Sequence, residues 1–159
     1  MNYQTSFTLN KAHYNECFEQ SQSITPKSNR RYFKTGALAL LGFFFYLTKI
    51  DGLSAHLGAF FFILAFVDAL SVLYAQAWWV NRQMFSKAAG NKVQIEISET
   101  GLEIKSDFVN KVINYADISS VKSTEKGIIL MLSTGGNSYL SKNHFSAEAW
   151  QFLLAKLAE

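Results

Sequence analysis

Asp68 is the side chain best placed to do chemistry, because it is the one formal charge between Leu57 and Val80. A carboxylate in so apolar a run either handles a proton or an ion, or makes a polar contact that fixes a neighbouring helix. At the centre of a membrane helix a charged Asp costs about 2.5–3.5 kcal/mol on insertion scales, so it needs a partner. In an antiparallel hairpin turning near Gly52 and Leu53, Asp68 comes opposite Ala37, one helical turn from Lys34. Lys34 and the Thr35 hydroxyl are then the expected partners, and structural pairing is favoured over transport. Elsewhere the chemical groups are dispersed. His13, His56 and His144 show no metal-ligand spacing, and the single Cys17 reads as a packing residue. The chain has no Gly-rich phosphate loop, Gly-x-Ser-x-Gly, His-Glu-x-x-His or Ser/His/Asp grouping. The expectation is no catalytic residue, no metal and no cofactor.

The elements that would position Asp68 follow from the distribution of charge over the 159 residues. Residues 1–34 carry five Lys/Arg against two Glu; residues 35–80 carry one Lys and two Asp; residues 81–159 carry nine Lys/Arg against eight Asp/Glu. Three segments result: an N-terminal strand and amphipathic helix (1–34), a transmembrane helical hairpin (35–80) and a cytoplasmic β domain with a C-terminal helix (81–159). A middle segment this apolar argues against a small soluble enzyme, a nucleic-acid binder or a disulfide scaffold. Its first arm, Thr35–Leu47, is shorter than the roughly 20 residues that cross a bilayer. It becomes long enough from Tyr32 to Ile50 if Lys34 and Lys49 snorkel. The second arm, Leu57–Val80, closes on Trp78 and Trp79, residues suited to the interface. Arg30, Arg31, Lys34, Arg82 and Lys87 flank the pair, while the intervening loop has only Lys49 and Asp51. The positive-inside bias puts both termini in the cytoplasm, with Arg30, Arg31, Trp78, Trp79 and Arg82 as interface anchors.

Outside the hairpin the periodicity changes. Tyr3, Thr5, Phe7 and Leu9 alternate with polar residues, Asn10 can cap a helix reaching about Gln22, and Thr25-Pro26 breaks it. From Val93 onward short alternating runs are punctuated by Glu99-Thr100-Gly101, Glu125-Lys126-Gly127 and Gly135-Gly136. An amphipathic helix follows from about Ser146 to Ala158, with Trp150, Leu153, Leu154 and Leu157 on one side. The fold class read from this order is an α+β membrane protein. It joins a two-helix transmembrane hairpin to a pleckstrin-homology (PH)-like antiparallel sheet closed by a C-terminal helix. The strand near Tyr3 is available to complete that sheet.

The order of several motifs resembles the YcxB-like family of bacterial two-span membrane proteins. They are Phe7-Thr8-Leu9-Asn10 leading to Tyr14, the two apolar arms, Ile95 to Leu102, Tyr115-Ala116-Asp117-Ile118, and Tyr139 to Phe145. Asn10, Tyr115 and Ser141 stand where Thr, Trp and Pro are usual. The resemblance implies this topology and a bacterial inner-membrane location, and brings no catalytic residue with it. The functional expectation is a non-enzymatic membrane protein whose PH-like module binds or regulates a protein partner. An immunity-type protein neutralising a toxin is the first alternative, and a small transporter or channel subunit using Asp68 is the second. The expected partners are the lipid bilayer and a protein, with no nucleic acid; homo-oligomerisation is left open.

Overall fold

A computed structural model describes residues 2–24, 30–48 and 54–158. The expected loop at Lys49–Leu53 and the Thr25-Pro26 break lie outside the described residues. Two compact units divide the chain: Met1–Pro26 together with Val80–Glu159, and Lys27–Trp79.

In the first unit, β1 (Tyr3–Thr8) leads into α1 (Lys11–Ile24), and the chain returns as six more strands: β2 (Lys92–Ile97), β3 (Gly101–Lys105), β4 (Asn110–Asn114), β5 (Ile118–Ser123), β6 (Gly127–Leu132) and β7 (Asn137–Ser141). A closing helix runs from Ala147 to Ala158. The strands form two antiparallel sheets, β1-β2-β3-β4 and β5-β6-β7. β1 pairs with β2 from Tyr3↔Ile97 to Thr8↔Lys92, so the segments before and after the helical unit share one sheet. Alternation puts Val93, Ile95 and Ile97 on the buried side with Leu102 and Ile113. Ile128, Leu130 and Leu140 from the second sheet complete the core with Ala149, Trp150 and Leu153 of the closing helix. Gly101 and Gly127 are required by close approach: a Cβ there would collide with the carbonyl oxygens of Ile113 and Leu140.

The run Gly-Ile-Ile-Leu-Met-Leu of β6 lacks the alternation of its neighbours, as a strand covered on both faces should. Ile129, on the face away from the core, is only 2% exposed. α1 is tied to the same strands: the Lys126 amide donates to Gln20 Oε1 at 3.2 Å, and the Tyr139 hydroxyl donates to Glu16 Oε1 at 2.6 Å. α1 begins as expected, with the His13 amide donating to Asn10 Oδ1 at 2.9 Å.

The second unit is helical. α2 (Arg30–Leu47) and α3 (Ser54–Leu73) pack together, and α4 (Ala75–Met84) continues beyond the unit's end. The apolar run Leu57–Val80 is therefore divided at Tyr74 rather than forming one span. The apolar character fades there, as Tyr74 and Gln76 follow Leu73. His56–Leu73 is long and apolar enough to cross a membrane by length and composition, with a mean hydropathy of 2.0. The 18 residues of α2 include the cations Arg30, Arg31 and Lys34. Trp78, largely exposed, and Trp79, half-buried, both lie on α4, as does Arg82.

Candidate functional site

The helical unit is organised around its one carboxylate on a helix. Small residues let α2 and α3 approach: a Cβ on Gly58 would come 3.1 Å from the Gly42 carbonyl oxygen, and one on Gly42 would press on the Phe62 ring. Phe45 stacks on Phe61 with centroids 5.5 Å apart. With the helices this close, Asp68 meets both residues expected from register. Lys34 Nζ lies 2.9 Å from Oδ1, and the Thr35 hydroxyl donates to Oδ2 at 2.6 Å. The Asp68 side chain is 12% exposed and that of Lys34 74%, so the carboxylate is held inside while the ammonium reaches out. Because α3 ends at Leu73, Asp68 lies in its last two turns and faces the beginning of α2, rather than the middle of the apolar run. Both carboxylate oxygens are engaged, which leaves the group a clamp between two helices. Of the expected interface anchors, Arg30 and Arg31 open α2, and Trp78, Trp79 and Arg82 lie on α4.

A second polar cluster lies in the sheet unit. His13 on α1 stacks on His144, which follows β7, with centroids 5.3 Å apart and planes inclined by 28°. Phe7 of β1 covers His144 at 3.9 Å. The Thr5 hydroxyl donates to the His144 carbonyl oxygen. Neither Nδ1 atom has a hydrogen-bond partner among the described residues, and both are buried. His13 Nε2 approaches Cys17 Sγ at 3.3 Å.

The electrostatics make the His–Cys contact a neutral one. Burial lowers the pKa of His13, and His144 beside it lowers it further; burial also lowers that of His144. Burial pushes the Cys17 thiol up to about 12, with Glu16 adding to the shift. A nucleophilic thiolate needs the opposite arrangement, a depressed thiol pKa beside an imidazolium. Burial opposes the charge of Glu16, yet the Ser141 and Tyr139 hydroxyls hold it below the usual carboxylate range. Burial and the Glu16 contact together push the Tyr139 phenol upward. The cluster is thus a neutral, half-buried imidazole pair beside one anchored carboxylate. His13, Glu16 and Cys17 share one face of α1 through their i, i+3, i+4 spacing, a legible signal; the arrival of His144 from 131 residues further on leaves no such trace.

Among the described residues, the sheet unit has grooves in two places on its exposed faces. One of about 600 Å³ lies over the open face of the first sheet, lined by Gln4, Ser6, Lys92, Gln94, Lys105 and Asp107. Lys105 there is paired with Glu103 at 2.9 Å. The other, of about 660 Å³, runs between β5 and the closing helix, with Tyr115, Ile118, Val121 and Leu157 beneath a Glu99–Lys156 ion pair at 3.3 Å. Among the described residues no group of three or more His, Cys, Asp or Glu side chains is disposed to hold a metal ion.

Residues 97–157 match the family model described as YcxB-like protein. The matched stretch runs from the end of β2 to the closing helix and includes the Tyr115–Ile118 and Tyr139–Phe145 motifs; Phe7–Tyr14 and the apolar arms lie outside it. No curated protein matches the chain.

Proposed function

We propose that this chain is a membrane-anchored interaction protein, in which the α2–α3 hairpin holds a PH-like module at the cytoplasmic face of a bilayer. The observation that carries this reading is the outward direction of the large apolar side chains. Phe33, Leu40, Phe66 and Leu73 are 77%, 71%, 64% and 67% exposed, while Ala65 is buried and Gly42 and Gly58 occupy the helix contact. Water would strongly disfavour such a surface, whereas hydrocarbon accepts it. α3 supplies the apolar length for one crossing. α2 supplies the second, with Lys34 snorkelling from its beginning. The basic residues Arg31, Lys34, Arg82 and Lys87 favour cytoplasmic termini.

Under this reading the Asp68 clamp holds the hairpin together, and the sheet unit contacts a protein partner. The groove between β5 and the closing helix offers that partner an apolar floor and a charged rim. The test is membrane topology. The chain should stay in the membrane fraction after alkaline carbonate extraction. In a Cys17→Ala background, an impermeant thiol reagent should label Ser54→Cys from outside intact cells and reach Ser138→Cys only after lysis. Release by carbonate, or labelling of Ser138→Cys in intact cells, overturns the reading.

A further inference from the structure

β4 ends the four-stranded sheet, and one side of it carries no strand among the described residues. In an antiparallel ladder, residues alternate between bonding their neighbour strand and facing away from it. The phase here is fixed at both ends of the β3–β4 pair. The Ser106 amide donates to the Val109 carbonyl oxygen at 2.7 Å, and the Tyr115 amide donates to that of Thr100 at 3.2 Å. With the register Ile104↔Lys111 and Leu102↔Ile113, Lys111 and Ile113 bond to β3. Asn110, Val112 and Asn114 therefore aim their backbone N–H and C=O groups at the open side. Edges of this kind are commonly blunted by charge, proline or a bulge. This one carries a single Lys and no proline, and keeps an unbroken register. Phe108, Val109 and Val112 beside it are 60%, 47% and 61% exposed.

The pattern of the strand is complementary to itself. Set antiparallel to a second copy about Val112, it pairs Val112 with Val112 and Asn110 with Asn114, so all three outward-facing residues find hydrogen-bonding partners. Amide then meets amide and valine meets valine. Lys111, the only charge on β4, falls opposite Ile113, so no two cations oppose each other. Behind the edge, Glu103 and Lys105 neutralise one another at 2.9 Å. An acidic strand would find only one lysine to answer it, and a basic strand would be repelled.

We propose that the open edge of β4 joins two copies of this chain, antiparallel and in register about Val112, continuing the sheet across a twofold axis. The register makes the claim sharp. Residues facing each other in a hydrogen-bonded pair stand about 5.5 Å apart at Cα, within disulfide reach. Lys111 and its copy are staggered by two residues along the strand, beyond the roughly 7 Å limit.

The experiment uses the full chain with Cys17→Ala in mild detergent micelles, oxidised with copper phenanthroline. Val112→Cys should give a disulfide-linked dimer on non-reducing gels, at least fivefold more than Lys111→Cys or Ser120→Cys, the latter on the exposed side of β5. In the same micelles Val112→Arg should convert a dimer seen by light scattering to a monomer while keeping the protease resistance of the parent. That substitution is at an exposed position, so folding is expected to survive it. A parent chain that is monomeric, or cross-linking as strong at Lys111→Cys as at Val112→Cys, overturns the proposal. The first of these outcomes would leave the edge to a different protein.

Discussion

The two units solve the burial problem in opposite directions. In the sheet unit, Ile95, Leu102, Leu130 and Leu153 are at most 2% exposed, and the open face of the first sheet bears Gln4, Ser6, Lys92 and Gln94. In the helical unit many large side chains point out, Gly42 and Gly58 bring the helices together beside the Phe45–Phe61 stack, and the carboxylate of Asp68 is only 12% exposed. Composition by itself says only that one part is more apolar. What distinguishes them is that the helical unit leaves many of its largest apolar side chains outside and adds an ion pair between its helices. A core assembled by water gathers its largest apolar groups, while helices in an apolar surrounding gain by close backbone approach and polar links.

The sharpest way to break this comparison is to remove one large apolar residue from each unit. Trp150→Ala should cost about 3–5 kcal/mol, because it empties the centre of the sheet unit. Phe66→Ala should leave folding of the hairpin almost unchanged, since Phe66 is 64% exposed. Limited proteolysis with denaturant titration compares the two, and equal losses would erase the distinction.

The next effect concerns the interior charge. Asp68→Leu should destabilise the hairpin measurably, while Asp68→Asn retains most of the contact. Lys34→Met should lose little more when combined with Asp68→Leu than Asp68→Leu loses alone, because a pair removed together strands no charge. A double-mutant cycle by detergent–denaturant unfolding measures the coupling; additive losses would mean that the ion pair is incidental.

Acidification should act on the sheet unit through the imidazole pair. Both histidines have folded-state pKa values below their ordinary 6.5, so the unfolded chain binds protons first. Their contribution is fully present above about pH 6.5 and falls as pH drops toward the lower folded values. Melting at pH 7.5 and pH 5 should show the loss, and His13→Phe should reduce it. An unchanged pH slope in His13→Phe would show that acid acts elsewhere. The smallest effect is at the closing helix, where the Ser146 hydroxyl accepts from the Ala149 amide at 3.2 Å. Ser146→Ala should lower the sheet unit's midpoint by the equivalent of about 1 kcal/mol, and Ser146→Asp should not.

Local features were legible in the sequence, and distant ones much less so. Alternation marks β1 and β2, and the turns at Glu99-Thr100-Gly101 and Glu125-Lys126-Gly127 mark where later strands end; β6, covered on both faces, writes no such period into the chain. Asn10 and Ser146 announced their helices through capping chemistry. The Lys34–Thr35–Asp68 contact could be read because a short antiparallel hairpin fixes its own register. The His13–His144 stack could not, since α1 and the end of β7 meet only through tertiary packing. The break at Tyr74 is not legible, because Trp78 and Trp79 keep the run looking apolar beyond the end of α3.

The pairing of β1 with β2 sets an order of events during synthesis. Thr8 must wait for Lys92, which emerges 84 residues later, before its strand has a neighbour. At roughly 5–20 residues per second the delay is about 4–17 s, far longer than hairpin formation takes. Throughout that interval Tyr3, Thr5 and Phe7 have no sheet to join, while both apolar helices are being made. The sheet therefore closes only after the hairpin has left the ribosome, and a chain that stalls within the hairpin leaves its first strand exposed to quality control.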